Sequence, residues 1–230
     1  MKIINQSYEI KLLADFKEQA CLIESCGRTA YQSEDVITEN SALAFVKMIK
    51  DRNHGAVLEH SMMTVKFITD RGVSHELVRH RLASFTQEST RYCAYNKDKF
   101  DSQITIVRPI WVPETVIGEW PGSNNKDDVL ARMSTYTNSE HIWLLSMLQA
   151  ETSYLSLLEG KWTAQQARSV LPNSLKTSIA VTANIREWLH IFQLRAIDKA
   201  AHPQMRDLMI PLYEECRLRA PYLFDLGDPK

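Results

Sequence analysis

The stretch RHRLASFTQESTRY, Arg79–Tyr92, places three arginines, a histidine, a run of serine and threonine hydroxyls and a Gln-Glu pair within fourteen positions. Guanidinium groups stay charged at any working pH and grip phosphate oxygens through paired N–H donors. Hydroxyl and amide side chains add directional bonds to a ring or a sugar. The composition points to a nucleotide-shaped anion. Charge at this density also occurs as a plain solvated face, so the surrounding sequence has to discriminate.

The net charge of −1 supplies no global basic field for a nucleic-acid backbone, and the arginines therefore read as a local site for a small anion. Hydrophobic content of 44% and charged content of 24% suit a soluble globular protein, and no run of eighteen apolar residues is present. Polar residues interrupt the first twenty positions and leave no signal-peptide core, so the expected compartment is the cytoplasm. A chain of 230 residues is expected to form one domain. Cys21, Cys26, Cys93 and Cys216 lack C-x-x-C spacing and read as packing residues.

Upstream of the arginine stretch, HELVRH (His75–His80) superficially matches a zinc-binding helix. Histidines five apart diverge by about 140° on a helix and cannot chelate one ion. A helix is predicted from about Val73, after a turn at Asp70-Arg71-Gly72 and a strand over Ser61–Thr69. If Arg79, His80 and Arg81 continue that helix, neighbouring side chains diverge by about 100° and serve more than one ligand or subunit. Further back, RNHGAVLEH holds His54, Glu59 and His60. Helices are predicted over Asp15–Cys26, stopped by Gly27, and over Ser41–Lys50, with a strand or strand pair in residues 2–13.

Downstream, Ile104–Val107 reads as a strand, and Arg108–Gly122, rich in Trp and Pro, as an irregular loop packing on the core or another subunit. The longest helical pattern runs from Asp127 to Glu159, closed by Gly160, with Leu130, Met133, Ile142, Leu145, Leu148, Leu155 and Leu158 as core or interface positions. A short helix over Thr163–Leu171 ends before Pro172, and Leu175–Ala183 makes a strand. Then come NIREWLHIFQLR (Asn184–Arg195), a helix over Pro203–Arg219 and a frayed tail after Pro221. In a continuous helix Asn184 and Arg195 lie within about 20° of each other, with Arg186 and His190 opposite. That arrangement favours a site completed by a second subunit.

Arg79, His80, Arg81, Ser84, Ser89 and Arg91 together match RHRxxSxxxxSxR, and the chain resembles the flavin-dependent thymidylate synthases. The H-x-x-x-x-E-H segment at His54, the ARSVLP run (Ala167–Pro172) and the Asn-x-Arg to Leu-Arg segment (Asn184–Arg195) follow in that family's order. The resemblance implies a single α+β domain over 1–230 with a largely antiparallel sheet flanked by helices. It implies conversion of dUMP to dTMP with methylenetetrahydrofolate as one-carbon donor and a tightly bound FAD reduced by NADPH. It also implies no metal, no nucleic-acid or membrane partner, and a homotetramer with sites shared between subunits.

Residue by residue, the resemblance assigns flavin contacts to His54, Ala56, Glu59, Arg79, His80, Arg81, Gln87, Asn184, Arg186 and His190. It assigns substrate contacts to Glu76, Arg79, Gln87, Glu88, Ser89, Thr90, Arg91, Arg168 and Arg195. Arg195 carries the catalytic role, its fixed charge stabilising the anion left when uracil loses its N3 proton. Ala56 stands where the family often has Ser or Thr, which restricts any contact there to backbone; Thr86, Glu76 and His190 are further departures. Two readings from other classes are a nucleic-acid module on the arginine cluster and a metal hydrolase using His54, His60, His75 and His80. Each lacks its own spacing requirements.

Overall fold

The computed structural model describes residues 1–12, 14–97, 100–121 and 126–229. It separates into two compact units built from interleaved segments. One comprises Met1–Ser7, Ile68–His75 and Gln87–Ile179; the other comprises Tyr8–Phe67, Glu76–Thr86 and Ala180–Lys230.

In the second unit, Asp15 starts helix α1 (Phe16–Thr29) with a capping box, its carboxylate accepting from Glu18 N–H while Glu18 accepts from Asp15 N–H. The expected stop at Gly27 is corrected: the helix continues to Thr29. Gly27 is instead a close-packing position, because a Cβ there would lie 2.7 Å from the Phe45 ring and 2.8 Å from Val57. Helix α2 (Ser41–Asp51) buries Val46 and Ile49 as its spacing predicts, but Leu43, the third position expected to face the core, is exposed and Ala42 is buried in its place.

Residues 2–12 hold two strands, β1 (Lys2–Ile4) and β2 (Ser7–Lys11), but they are not a pair: β1 belongs to a three-stranded sheet and β2 is the edge of a four-stranded one, and residue 13 is outside the described residues. Strand β3 (Met62–Asp70) runs straight into helix α3 (Arg71–Leu77), so the expected turn at Asp70–Gly72 is replaced by a helix start in which Asp70 accepts from Val73 N–H. Strands β4 (Ala83–Gln87) and β7 (Lys176–Asn184) complete a four-stranded sheet in the order β2-β3-β7-β4. Strands β3 and β7 are antiparallel: Ile185 N–H donates to Ser61 at one end, Arg71 N–H to Asn173 at the other, and the Thr64 and Thr182 hydroxyls meet between. Burial alternates along both, with Met63, Val65 and Phe67 inward on β3 and Val181 and Ala183 inward on β7.

Helix α7 (Ile185–Phe192) covers that sheet in the second unit. Trp188 is wholly buried, with its ring against Phe67 and its indole N–H donated to Met63 C=O at 2.8 Å. Helix α8 (Pro203–Arg219) buries Leu208, Leu212, Tyr213 and Cys216, the positions its pattern selects. The tail is not frayed. Helix α9 (Pro221–Phe224) sets Phe224 edge-on to both Phe16 and Phe192, and Tyr213 OH donates to Gly227 C=O. Of the four cysteines only Cys216 is fully buried, its thiol pushed up to about 12 by desolvation; Cys21 is exposed.

In the first unit β1 pairs parallel with β5 (Thr105–Val107) and antiparallel with β6 (Gly118–Glu119). The single long helix expected over 127–159 is two, α4 (Lys126–Met133) and α5 (Asn138–Glu159), and the short helix expected over Thr163–Leu171 is α6 (Ala164–Ala167) followed by a tighter turn at Arg168–Val170. Thr137 divides them by capping α5 in a box with Glu140, and Gly160 caps the far end. Met133 and Leu148 are buried and Leu155 and Leu158 partly so, but Ile142 and Leu145 are exposed; the Leu130 side chain lies outside the described residues. In the loop that follows Val107, described as far as residue 121, Trp120 is buried while Trp111 is 61% exposed. Among the described residues no helix is long and apolar enough to cross a membrane.

Candidate functional site

Helix α3 ends at Leu77, and tight turns follow: Arg79 N–H donates to Glu76 C=O and His80 N–H to Leu77 C=O. Arg79, His80 and Arg81 are therefore not helical, and the 100° divergence expected for them does not apply. The turn sends His80 inward, 5% exposed, and leaves both arginines facing solvent. Strand β4 then carries Ser84 to Gln87, an element the sequence reading did not resolve.

His80 and Arg195 meet. Arg195 Nε–H donates to His80 Nε2 at 3.1 Å, its Nη1 pairs with Glu76 Oε2 at 3.0 Å, and its Nη2 reaches Glu76 C=O at 3.5 Å. Arginine only donates, so His80 Nε2 is an acceptor and, in the neutral ring, Nδ1 carries the proton. Burial, then the charges of Arg195 and His190, lowers the His80 pKa to about 4, which keeps the ring neutral at pH 7. Nδ1 faces Glu187 Oε1 at 3.6 Å, and the His190 ring lies edge-on to His80 at 6.1 Å between centroids. Burial pushes the Glu187 carboxyl up.

The segment carrying Arg195 continues directly from α7 but with a different winding. Residues Gln193–Ile197 form a π turn, in which Asp198 N–H reaches back five residues to Gln193 C=O at 2.9 Å. The wider turn departs from the regular α-helical step on which the 20° relation expected between Asn184 and Arg195 depends. Asn184, Arg186 and His190, expected on opposing faces, line one cavity of about 490 Å³ together with Glu59, Leu82 and Glu187. Asn184 is the α7 cap, accepting from Glu187 N–H at 2.8 Å, so its position is set by helix initiation. Arg186 pairs with Glu59 at 2.6 Å and packs over Gly55, where a Cβ would sit 2.7 Å from its Nε. His54 is on a different cavity of about 460 Å³, with Arg28, Phe45 and Arg52, and Ala56 is exposed.

The first unit gathers the remaining candidates. Gln87 donates both amide bonds, to Ser74 Oγ at 2.9 Å and Thr177 Oγ1 at 3.1 Å, which leaves its carbonyl as the group able to accept from a ligand. Glu88 is committed to Lys176 at 2.6 Å and to Tyr95 OH at 2.9 Å. Ser89 Oγ accepts from Arg91 N–H; Thr90 is buried and accepts from Arg168 Nη1 at 3.4 Å. Arg91 donates to Gln165 at 3.1 Å. Sequence reasoning missed Lys176, Tyr95, Gln165 and Glu187. The first three are ordinary polar residues in sequence, and Glu187 reads as an acidic first-turn residue of α7. Among the described residues no three His, Cys, Asp or Glu side chains are grouped to hold a metal ion.

A family profile for thymidylate synthase complementing protein matches residues 11–222. The flavin-dependent thymidylate synthase of Corynebacterium aurimucosum is 32% identical over 217 residues, covering 90% of this chain and 80% of that protein. That of Geobacter sulfurreducens is 29% identical over 229 residues, covering 96% and 87%. Among solved structures, Helicobacter pylori thymidylate synthase X with FAD and dUMP superposes with a TM-score of 0.66 at 21% identity, covering 96% of this chain and 97% of that one. The UMP/dUMP methylase PolB of Streptomyces cacaoi with 5-Br dUMP gives 0.68 at 18% identity, covering 98% and 96%. The two structures share the mixed helix-and-sheet fold, and the profile match with the curated relatives establishes the lineage: the chain belongs to the flavin-dependent thymidylate synthase family.

Proposed function

We propose that this chain converts dUMP to dTMP, with FAD as bound cofactor, methylenetetrahydrofolate as one-carbon donor and NADPH as reductant. The observation that carries the reading is geometric: His190, one wall of the 490 Å³ cavity, lies ring to ring with His80, which holds Arg195. A cavity of this size with a few polar groups suits part of a cofactor. The donors around it, the Arg186 guanidinium, the Asn184 amide and the His190 imidazole, suit an anionic, heteroaromatic group. FAD, when bound, supplies the hydride that the methylation needs.

Asn184, Arg186, His190, Glu59 and His80 hold the flavin in this reading, with Arg79, Arg81, His54, Gln87 and the backbone at Ala56. Arg79, Gln87, Ser89, Thr90, Arg91 and Arg168 bind dUMP, with Glu76 and the backbone at Glu88. The committed carboxylate of Glu88 supports restricting it to backbone. Arg195 stabilises the uracil anion; its pairing with Glu76 keeps the guanidinium oriented before substrate arrives. The chain works as one catalytic domain in a cytoplasmic homotetramer with shared sites. The profile's continuous match from 11 to 222, through both compact units, supports the single domain.

The test is flavin retention after gel filtration, followed by turnover with dUMP, methylenetetrahydrofolate and NADPH. The Arg195→Ala variant is expected to lose about a thousandfold in turnover, in line with removal of an electrostatic stabiliser, while retaining flavin. Near-normal turnover in that variant, or no flavin retention by the wild type, removes the reading. UMP in place of dUMP distinguishes a deoxynucleotide enzyme from a methylase that takes both.

A further inference from the structure

Glu187 is 6% exposed and unused by any role assigned above. It occupies the third position of α7, where glutamate ordinarily reaches back to bond the cap N–H. Here its side chain turns to the buried imidazole of His80, with Oε1 at 3.6 Å from Nδ1, while the backbone N–H of the same residue serves the Asn184 cap. The other ring nitrogen accepts from Arg195 Nε–H, which only the Nδ1–H tautomer of neutral imidazole permits. Burying a carboxyl is costly unless it is compensated, and the ring nitrogen that carries the proton in this tautomer is the one 3.6 Å from Glu187 Oε1.

We infer that Glu187 is a positioning residue, whose acceptor oxygen holds His80 in the Nδ1–H form so that the Nε2 lone pair anchors the Nε–H edge of Arg195. At 3.6 Å the effect is electrostatic, favouring a proton over a lone pair on the nitrogen that faces the oxygen. Three polar partners then define the guanidinium: Glu76 Oε2, Glu76 C=O and His80 Nε2. Loss of the tautomer removes one of the three and lets the planar group swing about Glu76. The consequence for turnover rests on the thymidylate synthase reading; the tautomer does not.

The experiment compares Glu187→Gln, which keeps an acceptor oxygen, with Glu187→Leu, which removes it. With ¹⁵N-labelled histidine and the His80 signal assigned through His80→Gln, wild type and Glu187→Gln are expected to show the Nδ1–H tautomer at neutral pH. Glu187→Leu is expected to show a mixture or the Nε2–H form. Turnover should fall by about tenfold or more in Glu187→Leu, with a smaller change in KM, and recover to within about threefold of wild type in Glu187→Gln. If Glu187→Leu does not fold, Glu187→Ala carries the same tautomer measurement. An unchanged His80 tautomer without the carboxyl overturns the inference, as does Glu187→Leu turnover within about twofold of wild type. A tautomer change in a protein whose wild type makes no thymidylate supports the inference and removes the proposed function instead.

Discussion

Gly55 shows how a missing side chain places a present one. Arg186 lies over its α-carbon and reaches Glu59, so the space a Cβ would fill is occupied by the guanidinium stem. Gly55→Ala must push Arg186 away, and because arginine is long the backbone need not move. The expected result is a flavin affinity about tenfold or more weaker, from a disturbed charge-assisted contact worth about 1.5–3 kcal/mol. Thermal stability should stay close to wild type, since Glu59 and Arg186 are both exposed and such pairs contribute little. Flavin titration alongside a melting curve checks both parts. The residue-level chemistry was legible in part: motif order picked out Arg195, His80 and Glu76. Nothing local could reveal their contact, because Arg195 is 119 residues from Glu76 and 115 from His80.

Among the elements, the strands with clean alternation, β3 and β7, were readable because one face is buried along their whole length. Strand β4 was not. ASFTQ alternates only between half-buried and exposed positions, so it lacks an apolar stripe, and its residues read first as ligand chemistry. The pattern over 127–159 misled in the opposite way, since its apolar periodicity continues past a break that hydrogen bonding imposes. Thr137 and Glu140 make that break by satisfying each other's backbone N–H groups. Thr137→Ala should cost about 1 kcal/mol and lower the melting midpoint by roughly 2–4 °C, with Thr137→Ser close to wild type. A midpoint unchanged in the alanine variant would mean that α5 is held by packing alone.

For the whole molecule, stability should depend on acid through His80. The folded protein keeps this ring neutral down to about pH 4, whereas the unfolded chain takes up its proton near pH 6.5. Stability tied to it is fully present above pH 6.5 and is lost as the pH falls towards 4, by at most about 3 kcal/mol. Glu187, with its raised carboxyl, acts in the opposite sense and blunts the loss at the acid end. Urea midpoints measured from pH 7 to 4 should fall more steeply in wild type than in His80→Gln; parallel slopes would assign the acid sensitivity elsewhere. The π turn at Gln193–Ile197 carries a different kind of consequence. A π turn holds one residue more than an α turn in the same span, so this protein has a register in which chain length itself is a variable. Deleting Leu194 would let the segment relax into α-helix without breaking the chain's path into α8. The downstream core could survive a deletion that turns Arg195 away from His80, separating inheritance of the fold from inheritance of the activity.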